Sequence, residues 1–266
     1  VRRKVKNRLG GRLKYFVSGG AALNPDIGRF FLSLGVQILQ GYGQTEASPL
    51  ISANRPKNIR IQTVGPSVKG VEVKLSDTSE LLVKGDCLMH GYWRDEKATA
   101  QTLIDGWLHT GDLAEIDEEG FVKIIGRKKE ILITSAGKNI APVEIEDLVK
   151  PHPLIGQVCV VGDGKKFLSA LIVLDGDGGA ETWAADNDIQ YSIKEMAKNE
   201  KVIQAIQEQV DQANSQVANV QGIKKFVLLE NEWTDSSGEL TPTLKLKRNV
   251  IAEMYNDEIE SMYEEV

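Results

Sequence analysis

The stretch from Arg12 to Glu46, RLKYFVSGGAALNPDIGRFFLSLGVQILQGYGQTE, decides the fold class. Residues 12–18 and 36–40 each predict a strand, and glycines follow both of them. A strand, a helix and a second strand with glycines at the strand ends are typical of an α/β sheet. Ligands of such sheets bind beyond the carboxyl ends of the strands, so we expect residues 18–21 and 41–46 to share one rim.

The segment between these two strands carries local signals for a helix. Asn24 is a favoured N-cap residue, and Pro25 is tolerated at the first helical position. Gly35 predicts the end of the helix. Its apolar face is predicted to consist of Ile27, Phe30, Phe31 and Leu34.

The rest of the chain divides into a β-rich part and a mixed part. Residues 60–92 contain short alternating segments separated by Gly and Pro, and residues 113–125 predict a strand, a turn and a strand. Beyond a boundary at 126–130, apolar spacing predicts α+β structure. Its strands are predicted at 131–133, 158–161, 168–174 and 223–229, and its helices from Pro142, near 196–217 and near 246–263.

Composition excludes several classes of protein. The net charge of −6 does not favour a nucleic-acid partner, and two cysteines do not form a disulfide framework, which favours a cytoplasmic location. The three histidines lack metal-ligand spacing, and no P-loop is present. We interpret residues 175–179 as a turn, the acidic C-terminal tail as a solvated helix face, and all four tryptophans as packing residues.

The N-terminus is basic and does not begin with Met. Val1 is followed by Arg2, Arg3 and Lys4, without the apolar stretch that a signal peptide needs, and no apolar run is long enough to span a bilayer. We predict a basic amphipathic helix, which leaves peripheral membrane contact open.

Three polar segments are ambiguous when each is taken alone. Residues 41–46 fit either a ligand-binding loop or a glycine turn before a capped helix, and residues 105–112 fit either a site or a turn. Lys245 fits either the start of a solvated basic helix or a reaching lysine on a mobile loop.

Six motifs follow one another along the chain: Ser18-Gly-Gly-Ala21, Gly41-Tyr-Gly-Gln-Thr-Glu46, Asp105-Gly-Trp-Leu-His-Thr-Gly-Asp112, Gly126-Arg-Lys-Lys-Glu130, Gly137-Lys-Asn-Ile-Ala-Pro-Val-Glu-Ile-Glu146 and Pro242-Thr-Leu-Lys245. Taken together and in this order, these motifs resemble the adenylate-forming (AMP-binding) acyl-CoA synthetase family over essentially the whole chain. The sequences of residues 137–142 and 241–248 are most similar to the long-chain fatty acid–CoA ligase branch.

The resemblance implies an acid–thiol ligase. Its substrates would be a fatty acid, ATP and coenzyme A, with Mg²⁺ as the metal; an acyl-adenylate would form and AMP and pyrophosphate would be released. Two alternatives stay open: a ligase for another acid (aryl, medium-chain or amino acid), and a non-catalytic nucleotide-binding remnant.

The resemblance also implies roles for individual residues. Lys245 would reach the α-phosphate and the carboxylate, Thr45 would bond the phosphate and Glu46 would hold Mg²⁺. The nucleotide would be bound by Gly19, Gly20, Ala21, Tyr42 (stacked on adenine), Gly43, Asp112 (on the ribose hydroxyls) and Arg127. Lys129 would be the hinge, and the Gly137 loop would line the coenzyme A tunnel.

The implied domain organisation is that of part of a larger protein. Residues 1–126 would close a large N-terminal AMP-binding domain, as an α/β segment 1–58 and a β-rich subdomain 59–126. Residues 127–266 would form a small, mobile α+β lid. The Thr/Ser/Gly-rich phosphate loop of the family is missing from these residues, so we expect the N-terminal part of the same protein as a partner, an exposed sheet edge and incomplete catalysis.

Overall fold

The computed structural model describes residues 2–176 and 178–264. Val1, Asp177 in the predicted 175–179 turn, and Glu265 in the predicted acidic tail therefore lie outside the described residues. The chain separates into two units, Val1–Lys129 and Glu130–Val266.

In the first unit, a small sheet is followed by a larger antiparallel one. The helices are α1 (Arg2–Arg8), α2 (Pro25–Ser33) and α3 (Glu96–Thr102). The strands are β1 (Tyr15–Ser18), β2 (Gln37–Gly43), β3 (Leu50–Ala53), β4 (Val71–Leu75), β5 (Glu80–Gly85), β6 (Leu103–Ile104), β7 (Trp107–Ile116) and β8 (Val122–Arg127). β1 pairs parallel with β2 and β2 antiparallel with β3, whereas β4, β5, β7 and β6 lie side by side with β8 also on β7.

The local signals around α2 are confirmed. The Asn24 side chain accepts a hydrogen bond from the Asp26 N–H at 2.7 Å, and Gly35 ends the helix with a φ of +77°. Leu34 and Gly35 donate their backbone N–H groups back to carbonyls of the last helical turn, which satisfies the helix end.

Much of the apolar surface around β1 and α2 is exposed. Val17 is 75% exposed and Phe30 is 59% exposed, and Ile27 is also open to solvent. The predicted apolar face of α2 is therefore only partly buried, because Phe31 packs edge-on against Phe16 but nothing in the described chain covers Phe30 on its outer side.

The second unit is a three-stranded sheet covered on both faces. The strands of this three-stranded sheet are β11 (Ile155–Val161), β12 (Leu168–Leu174) and β13 (Ile223–Leu229), and a separate two-stranded sheet consists of β9 (Leu132–Ile133) and β10 (Asn139–Ile140). Its helices are α4 (Pro142–Val149), α5 (Gly179–Asp186), α6 (Ile193–Met196), α7 (Glu200–Asn214), α8 (Arg248–Met254) and α9 (Asn256–Ser261). β12 lies between β11, antiparallel, and β13, parallel, and every residue of β12 is buried.

Alternating residues of β12 belong to two separate hydrophobic cores, one on each face of the sheet. Ile172 packs with α4, α5 and α7 in one core, whereas Leu171 and Val173 pack with Trp233, Ile251 and Met262 in the other. The predicted mixed α/β and α+β fold class is confirmed.

Two predicted helices are wrong in extent. The pattern at 196–217 is divided between α6 and α7, because the Asn199 side chain caps α7 by accepting a hydrogen bond from the Lys201 N–H. The pattern at 246–263 is divided between α8 and α9, because Leu246 is still paired with Leu240 in extended structure and Tyr255 interrupts the helix.

The prediction that every tryptophan packs is also wrong for one of them. Trp233 is buried, Trp183 packs on the first core and Trp107 lies beneath the Lys74 ammonium at 4.1 Å. Trp93 is 86% exposed, because it lies in a surface turn beside Arg94, whose φ is +53°. Among the described helices, none is long and apolar enough to cross a membrane.

Candidate functional site

The carboxyl ends of β1 and β2 form one rim. Ser18 is paired with Gln40 in the parallel ladder, so the following segments leave the sheet side by side. A Cβ atom at Gly19 would lie 3.3 Å from the Gly41 carbonyl oxygen, and Gly20 has a φ of +87° with open space around it. Gly19 and Gly20 therefore present backbone at an accessible strand end, and Ala21 follows them.

The segment 41–46 is a strand end and not a glycine turn. β2 continues through Gly43, whose missing side chain is required because a Cβ atom there would overlap the Pro49 carbonyl. Thr45 then begins a short 3₁₀ turn, Thr45–Ala47, that lacks a side-chain cap. The alternative of a glycine turn before a capped helix is therefore wrong.

A buried carboxylate lies at the centre of the site. Asp112 is 5% exposed and lies within β7, so the prediction of a loop over 105–112 holds only for its first residues. Its Oδ2 atom accepts hydrogen bonds from the Tyr42 hydroxyl at 2.5 Å and from Gln44 Nε2 at 2.7 Å. Gln44 Nε2 also lies 2.9 Å from the Thr110 carbonyl oxygen.

The other carboxylate oxygen of Asp112 faces an exposed cation. Strand pairing places Asp112 opposite Arg127, and Arg127 Nε lies 3.2 Å from Oδ1. The Arg127 side chain is 61% exposed, whereas that of Asp112 is 7% exposed. A carboxylate offers about four acceptor positions, so Oδ1 has room for a further donor such as a hydroxyl group.

The environment of Tyr42 keeps its hydroxyl protonated. Burial raises the pKa of Tyr42 well above its usual range, and the negative charge of Asp112 and the hydrogen bond between them act in the same direction. Tyr42 is therefore a fixed donor to Asp112, and its half-buried ring packs on the core of the first unit.

Glu46 is the described carboxylate nearest in sequence to Thr45. Its Oε1 atom accepts a hydrogen bond from the Tyr92 hydroxyl at 2.9 Å, and burial together with Glu46 raises the pKa of Tyr92. Across residues 2–176 and 178–264, no three His, Cys, Asp or Glu side chains cluster as a metal site. A single carboxylate still fits Mg²⁺, which proteins often bind through one carboxylate together with substrate phosphates.

Glu80 belongs to the site and was missed in the sequence. It is 7% exposed on β5, and its Oε1 atom accepts a hydrogen bond from the Gly111 N–H at 2.9 Å, beside Asp112. Its Oε2 atom lies 3.1 Å from Lys128 Nζ and 3.7 Å from His109 Nδ1. Burial acts to raise the pKa of Glu80, but these donors outweigh it and lower the pKa. The sequence signal that could have indicated a buried role for Glu80 is its position directly before the apolar run 81–83.

The remaining predicted residues lie at the boundary and in the second unit. Lys129 is exposed in the 3₁₀ turn Lys128–Glu130, at the last position of the first unit. Gly137 has a φ of +73° in an open turn closed by a hydrogen bond to the Thr134 carbonyl. Lys245 is exposed on a hairpin and precedes α8, so the alternative of a helix start is wrong.

Comparison with known proteins identifies the family. The model of the AMP-binding enzyme family matches residues 2–93, and that of the AMP-binding enzyme C-terminal domain matches residues 129–266. The second match covers more than half of the chain, so the chain belongs to the AMP-binding enzymes, and the predicted resemblance is confirmed.

Two of the similar proteins are named long-chain-fatty-acid–CoA ligases. The chain is 43% identical over 265 residues to the long-chain-fatty-acid–CoA ligase FadD15 of Mycobacterium bovis, covering 99% of this chain and 44% of that protein. It is 36% identical to the long-chain-fatty-acid–CoA ligase ACSBG2 of Xenopus laevis, covering 100% of this chain and 39% of that protein. The chain thus spans less than half the length of these relatives.

Solved structures share the fold. The adenylation domain of a carboxylate reductase from Mycobacterium chelonae superposes with a TM-score of 0.77 at 24% identity, covering 98% of this chain and 41% of that chain. ATP-bound MatB from Rhodopseudomonas palustris gives a TM-score of 0.67 at 26% identity, covering 92% of this chain and 46% of that chain.

Proposed function

We propose that this chain is the part of a long-chain fatty acid–CoA ligase that binds the nucleoside and supplies the closing lysine. The whole enzyme would use ATP to convert a fatty acid to an acyl-adenylate with release of pyrophosphate. It would then transfer the acyl group to the thiol of coenzyme A and release AMP.

The observation that carries this proposal is the buried Asp112 carboxylate. One of its oxygens is held by Tyr42 and Gln44, and the other lies 3.2 Å from Nε of the exposed Arg127. A preorganised carboxylate at the end of an open strand rim suits the hydroxyl groups of a ribose, because each can donate a hydrogen bond to it. The Tyr42 ring beside it would stack on the adenine, and the rim at Gly19, Gly20, Ala21 and Gly43 would lie against the base and the acyl carbonyl.

The phosphate end of the site requires positive charge and hard oxygen ligands. Negative charge accumulates when a carboxylate oxygen attacks the α-phosphorus and pyrophosphate leaves, so charge placed in advance lowers the barrier. Lys245 would supply an ammonium group to the α-phosphate, and Thr45 would donate its hydroxyl to a phosphate oxygen. Glu46 would hold Mg²⁺, which would neutralise charge on the phosphates.

Two reactions at one site would require the second unit to change its position. The exposed Lys129 would be the hinge between a first domain of residues 1–126 and a lid of residues 127–266. Lys245 would act in adenylation and the Gly137 turn in thioester formation. The open space around Gly137 is consistent with a segment that lines a narrow tunnel.

The long-chain acid is favoured over other acids by the names of the relatives. Aryl, medium-chain and amino acids stay as alternatives, because the residues assigned to the acid here would lie against its carboxyl group, which all of these acids share. The test is acid-dependent ATP–pyrophosphate exchange by the full-length protein containing these 266 residues, with palmitate, an aryl acid, a medium-chain acid and an amino acid. Activity with palmitate well above the other three is expected, and a clear preference for another acid contradicts the long-chain proposal.

The isolated 266-residue chain tests the nucleotide-binding part separately. The Tyr42–Asp112–Arg127 arrangement is complete within the first unit, so weak ATP or AMP binding without turnover is expected. Asp112→Ala should abolish that binding, whereas the exposed Asp86→Asn should leave it unchanged. Robust pyrophosphate release from palmitate and ATP by this chain would contradict the expected incompleteness. Nucleotide binding with no acid-dependent exchange in the full-length protein would favour the non-catalytic remnant.

A further inference from the structure

The hairpin that carries Lys245 is built on a fixed base. Leu240 pairs with Leu246, the Thr241 N–H donates to the Lys245 carbonyl at 2.8 Å, and the Lys245 N–H donates to Thr241 Oγ1 at 3.0 Å. Leu244 at the tip is 66% exposed with a φ of +59°. The tip is thus open, and its orientation depends on what holds the two ends.

Arg248 holds the end that follows Lys245. Its Nη1 and Nη2 atoms each lie 2.7 Å from a different carboxylate oxygen of Glu146, and its Nε atom lies 3.1 Å from Glu130 Oε2. The Arg248 side chain is 15% exposed and that of Glu146 is 7% exposed. A two-pronged guanidinium–carboxylate pair fixes direction as well as distance, which a lysine cannot do.

The carboxylates that receive Arg248 are themselves fixed. Glu146 lies on α4, and its Oε1 atom also accepts the Val160 N–H of β11 at 2.8 Å. Glu130 is the last residue of the turn Lys128–Glu130 and the first residue of the second unit, directly after Lys129. Arg248 therefore connects the Lys245 hairpin to the central sheet and to the segment next to the proposed hinge.

The other end of the hairpin has a second buried anchor. Glu239 is 2% exposed and accepts a hydrogen bond from the Tyr255 hydroxyl at 2.8 Å. Its backbone carbonyl accepts the Lys247 N–H at 2.8 Å, which closes the base of the hairpin. Because these contacts of Glu239 do not involve Arg248, replacing Arg248 is expected to let the hairpin change its orientation without unfolding it.

We propose that Arg248, through Glu146 and Glu130, is a positioning residue that sets the direction in which the hairpin presents Lys245. This inference rests on the proposed function for the role of Lys245, but the immobilisation of the hairpin is independent of it. Arg248 does not contact substrate; it acts through Lys245.

The inference is tested first without activity, on the 266-residue chain. Hydrogen exchange of the 239–247 amides is compared in the wild type, Arg248→Lys, Glu130→Gln and Lys247→Gln. Arg248→Lys is expected to speed exchange of the Leu244 and Lys245 amides at least about tenfold, with a smaller effect for Glu130→Gln and none for Lys247→Gln. Unchanged exchange in Arg248→Lys, in a chain that keeps its folded circular dichroism, overturns the inference.

The second test separates a positioning role from a structural one in the full-length protein. Arg248→Lys is expected to lower acid-dependent ATP–pyrophosphate exchange at least about tenfold, while thioester formation from supplied acyl-adenylate and coenzyme A changes less than about threefold. The double variant Arg248→Lys/Lys245→Ala should be no slower in exchange than Lys245→Ala alone, because the two residues act as one unit.

The outcomes are distinguishable. Equal loss of both half-reactions, or additive losses in the double variant, overturns the positioning role. Absence of acid-dependent exchange in the wild-type protein refutes the proposed function instead, and the hydrogen-exchange result then decides the immobilisation of the hairpin by itself.

Discussion

Replacing Tyr42 with Phe tests whether Asp112 depends on a single strong donor. The change removes the hydroxyl that lies 2.5 Å from Asp112 Oδ2 and keeps the ring that packs on the core. Asp112 retains Gln44 and Arg127, so the substitution leaves the buried carboxylate with weaker solvation but not alone.

The expected loss follows from the kind of hydrogen bond. A hydrogen bond to a charged group contributes about 1.5–3 kcal/mol, and a buried carboxylate that loses every donor costs more than this. Because two donors remain, we expect Tyr42→Phe to destabilise β7 by about 2 kcal/mol. That corresponds to about a 30-fold increase in the population of the opened state.

Tyr92→Phe is a matched control. Tyr92 also donates its hydroxyl to a carboxylate, at 2.9 Å from Glu46 Oε1, but Tyr92 is 38% exposed. Water can replace the lost donor there, so the change should be no more than roughly 0.5 kcal/mol.

The assay is native-state hydrogen exchange of the β7 amides in the 266-residue chain, which reports opening of this strand without requiring the two units to unfold together. A change below roughly 0.5 kcal/mol for Tyr42→Phe, or an equal change for both variants, refutes the reasoning. It would mean that water or Gln44 fully replaces Tyr42.

Three further predictions concern pH and packing. Burial raises the pKa of Asp147 to about 6, so the unfolded chain loses this proton at lower pH than the folded one, and the stability of the second unit should fall as pH rises from 4 to 6. Asp147→Asn should flatten that fall in urea titrations at several pH values, whereas the exposed Asp186→Asn should keep it. Because the pKa of Glu80 is lowered in the folded chain, its contribution to stability is present at neutral pH and is lost on acidification. Glu80→Gln should therefore reduce the protection of the β7 amides from exchange by about 1–2 kcal/mol at pH 7 and by little at low pH. An equal effect at both pH values refutes this prediction. Ile172 is fully buried in β12, the middle strand of the second unit. In urea unfolding, Ile172→Ala should destabilise this unit by about 3–4 kcal/mol and Ile172→Val by about 1 kcal/mol. Similar values for the two variants would mean that the surrounding core fills the cavity.

Local signals were sufficient for much of the fold. The Asn24 cap and the Gly35 stop depend only on hydrogen bonds within a few residues, so the sequence around them is enough to place α2. The helix predicted at 246–263 was wrong because its interruption at Tyr255 accompanies a contact with Glu239, which no local pattern contains.

Parts of the site were predictable as residue types but not as contacts. Asp112 and Tyr42 were both named, yet their hydrogen bond joins residues 70 positions apart and is set by how β2 approaches β7. Glu80 and Arg248 were assigned no role, because only the folded chain shows that their charges are buried and paired.

Two charged arrangements with a buried carboxylate occupy comparable places in their units. Asp112 lies where the strands of the first unit carry the proposed nucleoside site, and Arg248 with Glu146 lies at the base of the hairpin that carries Lys245. Buried ion pairs contribute little net stability, since desolvation opposes the attraction, and apolar side chains of similar volume often serve stability as well. What charged pairs provide and apolar contacts do not is a fixed direction. Chemistry at a phosphate requires groups that are held in place before the reaction. Tyr42 and Gln44 hold Asp112, and Glu146 and Glu130 hold Arg248, so direction is the property that these two arrangements would supply to the proposed enzyme.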